Sequence, residues 1–220
     1  MRGDLSRVDS VRAQATVAGG TVSLDAALMP PPRAMATFTN LAIRNVELAP
    51  VLVDHLCQPY GVTGRLDLDG EANLRLTNGS QSGGGSGRFR IGPGKMVGTE
   101  VVDLVREISG LAVVPAVLRT DPAPSRSPLE FDSITGSYTI VNGVARTEDL
   151  VYRARDVTVR AAGTYALADR RVAVEVTLSE GGNRVAGFVS GAPGSLRVVP
   201  LGVRLQDARD VRKFLGRLFR

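Results

Sequence analysis

Along most of the chain apolar and polar residues alternate with a period of two, the pattern of strands with one dry and one wet face. From residue 65 the even positions read Leu66, Leu68, Gly70, Ala72, Leu74, Leu76, and the odd ones Arg65, Asp67, Asp69, Glu71, Asn73, Arg75, Thr77. Val11, Ala13, Ala15 and Val17 alternate with Arg12, Gln14 and Thr16, and after Ala18-Gly19-Gly20 the pattern resumes as Val22, Leu24, Ala26, Leu28. That predicts a hairpin joined by a glycine turn. In the second half Val157, Val159, Ala161, Gly163, Tyr165 and Leu167 lead into a turn at Ala168-Asp169-Arg170, followed by Val172, Val174, Val176 and Leu178. Asn142-Gly143, between Ser137–Val141 and Val144, is the strongest short hairpin signal. Shorter strands fit 87–91, 129–134, 184–189 and 196–203. The fold class is mainly β, an antiparallel meander of about ten to twelve strands, most of them pairing with their sequence neighbours.

Three segments leave this period. Asn45 is placed to cap a helix through about Gln58, with Val46, Val51, Leu52, His55 and Leu56 as its apolar stripe and Pro59 and Gly61 ending it. Thr99 precedes a similar stripe through Leu111, stopped by Pro115. From Leu205 to Phe219, Leu205, Ala208, Val211, Leu215, Leu218 and Phe219 fall on one side, with Arg209, Arg212, Lys213, Arg217 and Arg220 supplying charge. Residues 1–204 thus read as one β-sheet domain with helices inserted near 46–58 and 99–114, and 205–220 as a basic amphipathic helix. Asn78–Ser86 and Arg119–Pro128 read as loops.

Composition sharpens this. At 220 residues, 43% hydrophobic and 22% charged, the chain is long enough for a real core and unlike a disordered one. No apolar run approaches the about eighteen residues that span a bilayer as a helix. The net charge is +5, and 25 of the 27 basic residues are arginine. Most arginines are scattered singly, and the aromatic residues, 5% of the chain, form no basic-aromatic platform. Nucleic acid is therefore not the expected partner.

Candidate chemistry is sparse. His55 is the one histidine and Cys57 the one cysteine, two residues apart and so pointing different ways on a helix. No serine triad or nucleophile elbow is present. Gly92-Pro93-Gly94-Lys95 has Phe89 where a phosphate loop needs its first glycine and Met96 where it needs a hydroxyl. Asp67, Asp69 and Glu71 line one strand face, between Arg65 and Arg75, as a solvated row rather than a turn-built cation site. The expectation is a protein without catalytic residue, metal or cofactor.

The order of segments adds a further expectation. Leu41-Ala-Ile-Arg-Asn-Val-Glu-Leu-Ala-Pro-Val-Leu leads into Gly61-Val-Thr-Gly-Arg-Leu-Asp-Leu-Asp-Gly. Then come Gly85-Ser-Gly-Arg-Phe-Arg-Ile-Gly-Pro-Gly-Lys-Met-Val-Gly-Thr-Glu and Leu129-Glu-Phe-Asp-Ser-Ile-Thr-Gly-Ser-Tyr-Thr-Ile-Val-Asn-Gly-Val. This succession, over roughly residues 10 to 200, resembles the C-terminal region of the AsmA family of Gram-negative cell envelopes. The resemblance implies an elongated, curved sheet forming an apolar groove in the periplasm, tethered to the inner membrane by an N-terminal anchor that this chain lacks. It also implies a part in moving phospholipid to the outer membrane or in outer-membrane assembly, with other envelope proteins as possible partners.

The residues expected to face such a groove are Leu66, Leu68, Leu74, Leu76, Val157, Val159, Val172, Val174 and Val176. The same residues could fill the core of a closed β-sandwich that binds no lipid, and alternation alone does not choose between the two. The basic segment with Arg209, Arg212, Lys213, Arg217 and Arg220 has two readings as well, on an anionic membrane surface or as a cap on an open sheet end.

Overall fold

The computed structural model describes residues 11–29, 35–52, 61–75, 83–97, 130–155, 157–180, 183–192 and 195–204. Two-residue turns start the architecture. Strands β1 (Val11–Val17) and β2 (Gly20–Met29) are joined at Ala18 and Gly19, and β9 (Ser133–Val141) and β10 (Val144–Ala154) at Asn142 and Gly143. All four turn residues have positive φ, from 44° to 76°. That conformation matches the right-handed twist of the flanking strands, and Asn-Gly adopts it at least cost.

The rest of the main sheet adds β3 (Met35–Glu47), β5 (Arg65–Arg75), β6 (Gly84–Ile91), β11 (Val157–Ala166), β12 (Arg171–Glu180), β13 (Asn183–Gly191) and β14 (Arg197–Arg204). The result is one open, eleven-stranded antiparallel sheet in the order β1-β2-β3-β5-β6-β9-β10-β11-β12-β13-β14. Every strand lies beside its nearest main-sheet neighbour in sequence, as a meander requires. Residues 84–86, expected in a loop, are strand: Gly84 and Gly85 stand opposite Asn73 and Ala72.

Three short strands, β4 (Gly61–Val62), β7 (Gly94–Val97) and β8 (Glu130–Phe131), form a second small sheet at one end of the main one. Thr63 N–H donates to Lys95 O at 2.8 Å, Leu48 N–H to Gly64 O at 3.0 Å, and the Lys95 ammonium pairs with Glu130 at 2.8 Å. The densest apolar packing is at this end. Val46, Leu48, Phe131 and Ile134 are buried, and the Phe131 ring tilts against Tyr152 with centroids 5.6 Å apart. Among the described residues no large side chain is fully buried.

The expected helix near 46–58 needs correction. Val46 and Glu47 finish β3, and the described helical part is one turn, α1 (Leu48–Pro50), continuing through residues 51 and 52. Asn45 is no cap; it sits at φ 57° in a β-bulge, as Asn40 does at φ 52°. The apolar residues of β3 run Ala36, Phe38, Leu41, Ile43, Val46, so the spacing slips by one residue twice, and each bulge absorbs one slip. Polar partners hold both bulges. Asn45 N–H donates to Asp67 Oδ1 at 2.9 Å, Arg65 donates to Asn45 Oδ1 at 2.9 Å, and Asn40 Nδ2 donates to Asp25 Oδ2 at 2.8 Å. Residues 53–58, with His55 and Cys57, and the expected helices at 99–114 and 205–220 lie outside the described residues.

A bulge on β10 is held in the same way. Thr147 faces Gly163 and Leu150 faces Ala161, so Glu148 and Asp149 share one place in the ladder. Asp149 Oδ1 accepts from Ser137 N–H and Ser137 Oγ, both at 2.7 Å. These bonds, that to the backbone first, hold the Asp149 carboxyl below the usual carboxylate range, with Thr147 adding a smaller contribution.

The bulge at Asn45 generates a stability prediction. A β-branched residue at that positive φ costs on the order of 1–2 kcal/mol, and the Arg65 bond adds about 1 kcal/mol. Asn45→Val should therefore lower the urea midpoint markedly, whereas Asn45→Gly, free to adopt the same φ, should lose only the side-chain bond. Equal losses in the two variants would show that the backbone conformation is not what Asn45 supplies.

Candidate functional site

Cross-strand register decides what the meander can do, because residues directly opposite one another in an antiparallel pair project to the same face. Starting from Leu66, the line runs through Val46 on one side and Ile91, Ile134, Tyr152, Val159, Leu178 and Val185 on the other. One step along, Val22, Ile43, Leu68, Phe89 and Gly136 form a parallel row, which β11 to β14 continue with Ala161, Val176, Gly187 and Pro200. Further rows hold Leu41, Gly70 and Gly87, then Phe38, Ala72, Gly85, Ile140, Ala145, Tyr165 and Val172. All eleven strands thus turn apolar residues to this side, while Val141, Val144, Val151, Phe188 and Val199 project to the other. With strands of about ten residues at about 3.4 Å each, the face is on the order of 30 Å deep.

The sequence candidates fall on this face. Leu66, Leu68 and Leu74 stand opposite Val46, Ile43 and Ala36; Val159 faces Tyr152 and Val157 faces Ala154; Val172, Val174 and Val176 face Tyr165, Gly163 and Ala161. Most of the face is half-buried, with Leu74 43% and Leu28 48% exposed. Leu76 lies outside the described residues, as do Arg209, Arg212, Lys213, Arg217 and Arg220.

Reading alternation strand by strand missed several members. Phe38, Leu41 and Ile43 were hidden by the bulges of β3. Tyr138 lies across a floor of glycine: a Cβ on Gly87 would meet its hydroxyl at 2.9 Å, and one on Gly70 would meet it at 3.2 Å. Its ring stands 6.5 Å from that of Phe89, and burial pushes its hydroxyl pKa above the usual tyrosine value. The signal for this arrangement was present as glycines at apolar positions of β5 and β6, each leaving room for a ring on a neighbouring strand.

The opposite face is mainly polar, with Val151 buried and Val141, Val144, Phe188 and Val199 exposed on it, and toward β1 it is largely self-neutralised. Arg12 Nε donates to Asp25 Oδ1 at 2.9 Å, and this bond, then that from Asn40, holds the Asp25 carboxyl below its usual range. Arg44 pairs with Asp69, which raises the Arg44 pKa, and Ser86 donates to Glu71 at 3.1 Å. Asp67, Asp69 and Glu71 are thus engaged in holding strands together. Toward β14 the polar face turns basic, with Arg153, Arg160 and Arg184 exposed and in no ion pair among the described residues. Among the described residues no group of His, Cys, Asp and Glu is placed to hold a metal ion.

No protein-family model, curated protein or solved structure matches the chain.

Tyr152 gives the packed end of the apolar face a measurable signature. Its hydroxyl donates to Glu130 O at 3.4 Å, and burial, reinforced by the nearby charge of Asp132, pushes its pKa up to about 12. Because the folded state favours the protonated phenol, this contribution to stability is complete below the ordinary tyrosine value of about 10 and is lost as pH rises from there through the folded pKa. An alkaline titration followed by tyrosinate absorbance should show a late step near 12 that disappears in Tyr152→Phe. Retention of that step in the variant would place the late-titrating phenol elsewhere.

Proposed function

We propose that this chain is a non-enzymatic lipid-binding element whose apolar face carries phospholipid acyl chains between the inner and outer membranes of a Gram-negative envelope, or supports outer-membrane assembly. The periplasm is the compartment this reading assigns to it, through the resemblance to AsmA-like proteins. One observation carries the reading. Most aliphatic residues share one parity across all eleven strands of an open sheet whose described residues include no fully buried large side chain.

The energetics favour an apolar ligand. An acyl chain of about fifteen methylenes loses on the order of 12 kcal/mol when it leaves an apolar surface for water. A carrier must therefore offer continuous dry surface, and it needs no catalytic group. Aliphatic residues and glycines make up most of the face, beside the rings of Phe38, Phe89, Tyr138, Tyr152 and Tyr165, and such apolar surface suits a flexible chain of methylenes. A sandwich of the same strand count would divide them into two facing sheets of similar size. Among the described residues one sheet has eleven strands and the other three.

Mass spectrometry of the purified chain should detect co-purified phospholipid. Leu74→Asp and Val174→Asp should each abolish it while the circular-dichroism spectrum stays that of a β-sheet. Val46→Asp, at a position only 3% exposed, should instead unfold the chain. A wild-type chain free of lipid and unable to extract it from vesicles would overturn the proposal. Global unfolding of Leu74→Asp and Val174→Asp would return the face to the role of an ordinary core.

A further inference from the structure

Among the described residues the sheet ends in two unpaired edges, β1 and β14, and they are built differently. β14 carries Pro200, which has no amide proton to donate, and a bulge at Leu201 between the pairs Ala186·Gly202 and Gly187·Pro200. Both devices discourage another strand from adding there. β1 has neither. Its residues Val11–Val17 form an uninterrupted ladder with β2, and residues 11–16 are all exposed. Its single charge, Arg12, is already paired with Asp25 of β2.

We propose that β1 is a self-association edge, through which two copies of this chain pair antiparallel about a twofold axis at Gln14. Two independent features point to a second copy rather than to another strand. The first is the direction of the backbone groups. The pair that closes a two-residue hairpin is hydrogen-bonded, so Val17 bonds with Gly20, and the alternation along β1 commits Val11, Ala13 and Ala15 to β2 as well. The N–H and C=O groups of Arg12, Gln14 and Thr16 therefore point to the open edge.

The second feature is the sequence. Val-Arg-Ala-Gln-Ala-Thr-Val presents the same apolar residues in either direction. Laid antiparallel on itself and centred on Gln14, it sets Val11 against Val17, Ala13 against Ala15, Arg12 against Thr16 and Gln14 against its own copy. Every outward-pointing residue meets an outward-pointing partner, the two Gln14 amides can bond to each other, and no like charges stand opposite. A twofold axis normal to the sheet keeps both apolar faces on the same side, so the dimer continues the dry surface of each copy. The pairing rests on the edge alone and holds whatever the apolar face binds.

A seven-residue strand edge buries a few hundred Å², below the roughly 1,000 Å² of a stable interface, so the dimer is weak and forms at micromolar or higher concentration. Analytical ultracentrifugation of the full chain from about 10 to about 300 μM should show monomers converting to dimers as concentration rises. Gln14→Pro removes an amide proton that β2 does not use, and should stay monomeric throughout with an unchanged melting curve. In a Cys57→Ser background, Gln14→Cys should cross-link to itself on oxidation. Thr16→Cys should cross-link only when mixed with Arg12→Cys. A wild-type monomer at every concentration, including one in which the chain's own residues 1–10 protect the edge amides from exchange, would overturn the proposal. So would a dimer that persists in Gln14→Pro. If that variant fails to fold, the cross-linking pattern decides alone, and efficient self-cross-linking of Thr16→Cys refutes the axis at Gln14.

Discussion

A strand's side chains alternate, so a one-residue slip would turn its aliphatic residues into water and its arginines onto the dry side. Antiparallel pairing passes that parity from each strand to the next, and in this chain it passes through ten successive interfaces from β1 to β14. Leu66 shares a face with Val185 although five strands separate them, because the pairing along that row holds across each interface. Tight turns at Ala18-Gly19 and Asn142-Gly143 set that register locally. The polar face has to protect it over the rest of the sheet.

That requirement gives the charged residues their part in the fold. Strand β3 crosses the sheet with two extra residues, and each left-handed asparagine is tied down on the polar side, Asn40 to Asp25 and Asn45 to Asp67 and Arg65. On β10, Asp149 takes up the Ser137 amide beside the bulge. Each of these exposed bonds contributes little, on the order of 1 kcal/mol or less. Their value lies in what they select, since losing a bulge would put Val46 or Leu150 on the wrong side of the sheet. Basic side chains paired in this way are not available for phosphate. Among the described residues Arg153, Arg160 and Arg184, toward β14, are exposed and in no ion pair.

How far the sequence shows this depends on how regular each strand is. β1, β2, β5, β11 and β12 keep strict alternation over seven to eleven residues, and their register, turns and apolar face can all be read directly. β3 cannot be read that way. Its spacing of two, three, two, three imitates the mixed three-and-four spacing of a helix, so Val46 reads as the start of a helical stripe and Asn45 as its cap. An asparagine favours a helix cap and a left-handed bulge for the same reason, its short polar side chain, and only the partner strand settles which is used. Gly84-Gly85 reads as loop because glycine has no apolar side chain to reveal a period, yet opposite Asn73 and Ala72 it serves as strand. The candidate site divides along the same line. Aliphatic members on regular strands are legible, while Tyr138 depends on glycines two strands apart in space and far apart in sequence.

The distribution of side-chain size over the apolar face supports a working surface over a core that happens to be uncovered. A core gains stability by interlocking bulky groups. The largest group of buried apolar residues, Val46, Leu48, Phe131 and Ile134, lies at the end of the sheet where the small second sheet stands, with Ala36 and Val189 buried elsewhere. Away from that end the rows change character. Gly70, Gly87, Gly136, Gly163 and Gly187 occupy apolar positions within strands, where they weaken the sheet and, at Gly70, Gly87 and Gly136, leave room for the rings of Tyr138 and Phe89. A second protein layer would need knobs and holes at fixed positions there. The proposed acyl-chain ligand would need only a dry surface, without such fixed complementarity. The bulky end then acts as the wall of the face and the glycine-bearing rows as its floor.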